Sequence, residues 1–232
     1  MNWSGYEWRI GQPWGIIHPE ITRQWYDKDC VLVDAFDKLH LLTHRHEREF
    51  NIDGQQITSP FGIGLITSVE SFSYGTFRIV AKLPTGQGLF PAFWLGSTED
   101  WPPEIDVFEA TTADKPGGGY FDFNFTHRLY HVTSNQHYGD YPDTKADVGA
   151  KRGFLKKDPA KHFIEWKCHW TEDRVEIWYD GRLVRTINEP KAISQLNETG
   201  PLVVILNNAV NREVPGNNYS DFTITEFEHI PL

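Results

Sequence analysis

The 232-residue chain is poor in sulfur, with one methionine and two cysteines, Cys30 and Cys168. Cysteines so far apart define no disulfide framework and sit in no metal-binding spacing, so a Cys30–Cys168 bond is allowed but not required. A Lys/Arg cluster is also missing, and 32 acidic against 22 basic residues give a net charge of −10. Such a chain is badly suited to gripping phosphate backbones, so nucleic acid is not expected as a partner. No apolar run approaches the roughly 20 residues a membrane helix needs, so no membrane partner is expected. After Met1 there is no basic stretch followed by an apolar one, hence no visible secretory signal. Internal repeats, low-complexity tracts and linker-like shifts in composition are lacking, and residues 1–232 read as one domain.

Aromatic residues are abundant: Phe 15, Tyr 9 and Trp 9 make up 14% of the chain. They supply core bulk and also flat faces for sugar rings. Hydrophobic residues at 39% and charged residues at 23% are those of a folded chain, not a disordered one.

Short alternating segments dominate. Phe77, Ile79, Ala81 and Leu83 alternate with Arg78, Val80 and Lys82 until Pro84 and Gly86 stop the run. Val175, Ile177 and Tyr179 alternate with Glu176 and Trp178, and Asp180-Gly181 turns the chain into residues 183–187 as a hairpin. Further strands are expected at 38–44, 64–69, 89–95, 105–110, 120–126, 162–170, 202–209 and 223–229, with a loop at 116–119 and one short helix at 192–196. That many strands in one domain indicate an all-β sandwich or jelly roll.

The segment Trp101-Pro102-Pro103-Glu104-Ile105-Asp106-Val107-Phe108-Glu109 carries the chemistry. On a strand Glu104 and Asp106 share a face, while Glu109, an odd step from Glu104, falls on the other. One β-bulge restores the parity, lines three carboxylates on one face and turns Ile105 with Val107 or Phe108 to the core. At about 3.3 Å per residue the two glutamate backbones stand about 13 Å apart. Side chains leaning inward leave about 5 Å between carboxyls, the separation of a retaining rather than an inverting glycosidase. Crowding also raises the pKa of at least one acid, as a general acid at neutral pH requires. Taken alone, the stripe equally fits a solvated acidic face or a calcium site.

Its surroundings narrow the choice. The Glu-x-Asp-x-x-Glu pattern, preceded by Ser73-Tyr74-Gly75-Thr76-Phe77 and by residues 82–95 ending in Phe93-Trp94-Leu95, resembles glycoside hydrolase family 16. Trp170-Thr171-Glu172-Asp173, Ile177-Trp178-Tyr179-Asp180-Gly181 and Pro201 through Val210 continue the resemblance in order, from about Leu32 to Val210. The resemblance implies a concanavalin A-like β-jelly roll with a concave cleft. It implies Glu104 as nucleophile, Glu109 as acid/base and Asp106 as the residue that tunes them. It places Trp94, Trp101, Phe90, His137 and Asn207 at the substrate, although Trp94 also suits a core position and hydrogen bonding within the fold also suits Asn207 and His137. The bulged motif points to the laminarinase and agarase side of the family. The implied function is endo-acting, retaining hydrolysis of β-1,3- or β-1,3-1,4-glucan by a secreted monomer without a cofactor. The alternatives are a galactan hydrolase of the agarase, carrageenase or porphyranase type and a non-catalytic glycan-binding jelly roll.

Some features depart from the family or stand apart from it. Where the family reads Arg-Phe-Glu-x-Arg, with a glutamate and arginine often near sugar, this chain has Arg78 and Val80, which puts the substrate in doubt. Asp221 resembles an aspartate that lies near a structural calcium, but one ligand does not make a site. His40, His44 and His46 fall at even steps and would share a strand face, better explained by packing or solvent than by a metal. The Asn-x-Ser/Thr triplets at Asn2, Asn124, Asn197 and Asn218 are read as chance.

Overall fold

Alternation of period two decides the architecture, because only a strand sends such a pattern to a single face. In Gly75–Lys82 the side chains of Phe77, Ile79 and Ala81 are buried, while those of Thr76, Arg78 and Val80 point away from the core. The strands Ile164–Trp170 and Val175–Tyr179 repeat the pattern with Trp166, Cys168, Ile177 and Tyr179 inside. A computed structural model of the chain describes residues 1–13, 15–18, 21–112, 121–124, 127–211 and 220–232.

Two large sheets face each other. One runs in the order Asn2–Trp3, Tyr6–Ile10, Leu65–Ser68, Val203–Val210, Leu89–Gly96, Glu104–Glu109, His127–Tyr138 and Phe121–Asn124, with Ala146–Asp147 and Lys151–Leu155 also paired to His127–Tyr138. The other runs Arg182–Ile187, Val175–Tyr179, Ile164–Trp170, Gly75–Lys82, Ser220–Pro231, Leu39–Ile52, Gln55–Ile63 and Gln24–Tyr26, with Val31–Val33 on Leu39–Ile52. Among the described residues pairing is antiparallel except between Gln24–Tyr26 and Gln55–Ile63. This is the expected all-β jelly-roll sandwich. Between the sheets Phe108 lies 4.4 Å from Trp166 and 6.0 Å from Phe222, ring to ring. Burying such rings stabilises each site by about 1.5–3 kcal/mol.

The Asp180-Gly181 hairpin forms as expected, with both residues at positive φ (50° and 74°). The short helix extends to Pro190–Thr199, opening on Pro190 and closing on Gly200 at φ 85°. Gln195 from this helix bonds both the N–H and the carbonyl of Gly139, fixing the corner after His127–Tyr138. Of the strand expected at 120–126, Phe121–Asn124 is formed; the rest, the 116–119 loop and Asn218 lie outside the described residues. Among the described residues no helix is long and apolar enough to cross a membrane.

Candidate active site

The register of three adjacent strands assembles the site. Glu104 pairs with Gly96 on one side and His137 on the other, and Asp106 pairs with Trp94 and Asn135. Beyond Asp106 the register shifts: Phe108 pairs with Phe93, and Glu109 with Ala92 and Thr133. Val107 is the extra residue of a β-bulge, as the sequence parity demanded. Ile105, Val107 and Phe108 are all fully buried, so the bulge sends two consecutive apolar side chains to the core and returns Glu109 to the face of Glu104 and Asp106. The floor of that face is apolar, made by Ala92 and by Leu65, Val203 and Ile205 of neighbouring strands.

Burial and mutual repulsion govern the electrostatics. Asp106 is 2% exposed. Desolvation, then the charge of Asp106, raises the Glu104 carboxyl well above the ordinary range. Desolvation, then the charge of Glu109, does the same to Asp106. Desolvation, then the charge of Glu104, raises Glu109 to about 7. The trio therefore holds fewer than three negative charges at neutral pH. Two groups oppose the rise at Glu104: the Trp101 indole N–H donates to Oε2 at 2.9 Å, and His137 Nε2 lies 3.7 Å from Oε1 and 3.4 Å from Asp106 Oδ2. Such a site can pair a stabilised carboxylate with a protonated acid on one face. Glu104, Asp106 and His137 also bring donor atoms within 4.8 Å of one another, close enough to hold a cation, as do Asp27, Cys30 and His44 on the other sheet.

The sugar-contact candidates gather here. Trp94 lies on the carboxylate face beside Asp106, half-buried, not in the core behind it; its indole donates to Asn207 Oδ1 at 2.8 Å. Gly96 leaves room for that ring, since a Cβ there would come 3.1 Å from Trp94. Asn207 in turn donates to the Phe90 carbonyl at 3.2 Å, and Phe90 packs with Trp94 over Tyr26, Leu65 and Ile205. Asn207 thus bonds within the fold while helping to orient Trp94. Trp101, 37% exposed, stands at the other end, its ring 5.9 Å from His137 and 5.4 Å from Tyr141, with Lys145 Nζ 4.3 Å above it. Tyr141 and Lys145 were not singled out from the sequence; their only signal is closeness to the His137-Tyr138-Gly139 stretch.

Two further residues missed by sequence reasoning act from the opposite sheet. The buried Tyr179 hydroxyl donates to the Val107 carbonyl at the bulge (2.8 Å), and Gly153 makes space for its ring, because a Cβ there would come 2.3 Å from Tyr179. Arg185, also buried, donates to the carbonyl of Ser134, the residue facing the bulge across the neighbouring strand. Both sides of the register shift are thus held from beneath. Tyr179 and Arg185 sit on adjoining hairpin strands, and no local pattern signals their reach.

The remaining candidates lie away from this face. Arg78 and Val80 point outward from the second sheet, and Arg78 pairs with Glu165 (2.7 Å) and Glu226 (2.8 Å). Their departure from the family pattern therefore carries no information on substrate, because strand alternation turns both away from the sandwich. Asp221 pairs with His40 (2.9 Å), whose other nitrogen lies 3.4 Å from Asp34. His44 and His46 instead both face Asp27. Cys30 and Cys168 are both buried free thiols and do not pair. Cys168 sits in the central core on Ile164–Trp170, whereas Cys30 closes a short 3-10 turn beside Asp27.

Fold and site together define a jelly-roll protein with a carboxylate trio on a bulged strand. The chain belongs to the glycosyl hydrolases family 16, whose model matches residues 34–224. It is 47% identical over 150 residues to the endo-1,3-1,4-beta-glycanase EglC of Rhizobium meliloti, a match covering 63% of this chain and 27% of that one. It is 28% identical over 144 residues to a beta-1,3-glucan-binding protein of Penaeus monodon, covering 56% and 36%. In structure it superposes on a family 16 endo-glucanase from Bacteroides ovatus with a TM-score of 0.70 at 21% identity, over 96% of this chain and 94% of that one. The chain spans less than half the length of these two curated relatives.

Proposed function

We propose that residues 1–232 form one catalytic domain, an endo-acting, retaining glycoside hydrolase that cleaves internal linkages of a β-1,3- or mixed-linkage β-glucan. The observation that carries this reading is the bulge, which puts Glu104, Asp106 and Glu109 on one face beside Trp94 and Trp101. Glu104, in the ionised form that the Trp101 N–H and His137 favour, attacks the anomeric carbon. Glu109, part-protonated near pH 7, gives its proton to the departing oxygen. The resulting glycosyl ester is cleaved by a water that Glu109, now a base, deprotonates, giving net retention. Asp106, between them, raises the Glu104 pKa by its charge and takes no covalent part.

Endo action follows from where the aromatics lie. Phe90 lies beyond the Glu109 end of the trio, and Trp101 with Tyr141 beyond the Glu104 end, so rings are available to sugars on both sides of the scissile bond. The acidic surface favours neutral glucans over sulfated galactans. The rival class, a glycan-binding jelly roll without activity, does not require the two glutamates retained here. The reading extends to an extracellular, monomeric enzyme that needs no cofactor.

A reducing-sugar assay over laminarin, barley β-glucan, agarose and carrageenan tests the reading, with proton NMR of the first products. Release of β-anomer from a β-glucan is expected. Initial α-anomer, or no hydrolysis of any polymer, would reject it.

A further inference from the structure

The second sheet carries a cluster that carbohydrate hydrolysis does not use. Asp27 is 2% exposed and ends the Gln24–Tyr26 strand. Cys30, fully buried, closes the turn that follows, and His44 comes from the long Leu39–Ile52 strand. One carboxylate oxygen, the Cys30 sulfur and one ring nitrogen of His44 all lie within 4.8 Å of one another. We propose that Asp27, Cys30 and His44 bind one zinc-class divalent cation, with a solvent molecule as the fourth ligand.

Chemistry and geometry agree with such an ion. Thiolate, imidazole and carboxylate are the donors zinc takes, and tetrahedral bonds of about 2.0–2.3 Å put neighbouring donors about 3.3–3.7 Å apart. His44 Nε2 is already 3.5 Å from Asp27 Oδ2. The sulfur lies within 4.8 Å of both other donors, about 1 Å or less outside that spacing. Asp27 is oriented as a ligand should be. Its Oδ1 accepts the Asp29 N–H at 3.0 Å, and His46 Nδ1 lies 2.6 Å from Oδ2. That gap is too short for two ligands of one ion, which makes His46 the outer partner that holds the carboxylate in place. Gly62, directly across from His44, keeps the space open, because a Cβ there would come 2.8 Å from Asp27 Oδ2. The His44 side chain is 33% exposed, giving the ion an entry path and the fourth position access to water.

The consequence is a tie between the Asp27–Cys30 turn and the neighbouring strand. Tyr26, next to Asp27, packs under Phe90 and Trp94, so the tie also steadies the floor below the sugar-contact candidates.

The test needs no substrate and is independent of the hydrolase reading. Purified full-length protein is exchanged into zinc or cobalt, dialysed, and examined by metal analysis, cobalt absorption and thermal melting. One equivalent of zinc, a rise in melting temperature and a thiolate-to-cobalt charge-transfer band are expected. Cys30→Ala and His44→Ala should each remove one equivalent of retained metal and the band while keeping β-type circular dichroism, and Cys168→Ala should keep the band. Absence of retained metal, a cobalt complex lacking the thiolate band, or a band that survives Cys30→Ala would each overturn the site.

Discussion

Asp106 and Asp27 are equally buried, 2% exposed each, yet their carboxyls move in opposite directions. Burial pushes both upward. At Asp106 the largest charge effect comes from Glu109, another acid, and it adds to that of burial. At Asp27 the Asp29 N–H and the imidazoles of His46 and His44 more than offset burial, and the carboxyl ends below its ordinary range. Burial makes a charge sensitive, and its neighbours decide the sign. One sheet spends stability on a strained set of acids; the other gains stability from a satisfied one.

The largest effect expected from breaking this contrast is in activity. Glu104→Gln removes the proposed nucleophile and one of the repelling carboxyls, so hydrolysis should fall to background on every substrate. The melting temperature at pH 7 should hold or rise. Full activity in this variant would dismiss Glu104 from the reaction.

Exchanging each aspartate for asparagine sharpens the comparison directly. Asp106→Asn should lower kcat by about 10²–10⁴, as for lost acid–base tuning, with no loss in urea stability. Asp27→Asn, measured with chelator present, should lose about 1–3 kcal/mol because the His46 and Asp29 bonds weaken. If both variants lost stability alike, the opposed environments described above would be wrong.

Glu109 supplies the pH dependence. Its carboxyl, ordinarily at 4.5, sits at about 7 in the folded protein. In the proposed role of general acid it works protonated, so kcat should fall as pH rises through about 7. A raised acid binds more protons folded than unfolded, so it withdraws stability as pH climbs from 4.5 to about 7. Glu109→Gln should therefore melt higher than the parent above pH 7, by up to about 3 kcal/mol in stability, and equal to it below pH 4. The variant should retain partial activity on aryl glycosides whose leaving groups need no proton. A parent profile flat between pH 5 and 9, measured on laminarin, would contradict the assignment.

The smallest effect is at the support. Tyr179→Phe removes the hydrogen bond to the buried Val107 carbonyl, which should destabilise by about 1–3 kcal/mol. It should lower kcat about tenfold, roughly 1.4 kcal/mol in the barrier, with KM little changed. A change in KM alone would mean that Tyr179 shapes binding and not the spacing of the acids.

Local physics made much of this molecule readable from its sequence. Period-two alternation gave most of the central strands, Asp180-Gly181 gave its hairpin, and the odd step from Glu104 to Glu109 required the bulge that the structure contains. Each depends on neighbours within a few residues, where side-chain direction follows from the backbone. The strands that escaped notice, such as Gln55–Ile63 and His127–Tyr138, are half-polar or bear sheet-edge pairings, so their apolar signal is weak. Only tertiary structure decided the rest. It brought Tyr179 and Arg185 under the bulge, turned Arg78 outward, kept Cys30 from Cys168, and set Asp27 among imidazoles while Asp106 lies among acids. These outcomes depend on which distant strands become neighbours, and a carboxyl's charge answers to groups a few ångströms away in space that the chain places far apart in sequence.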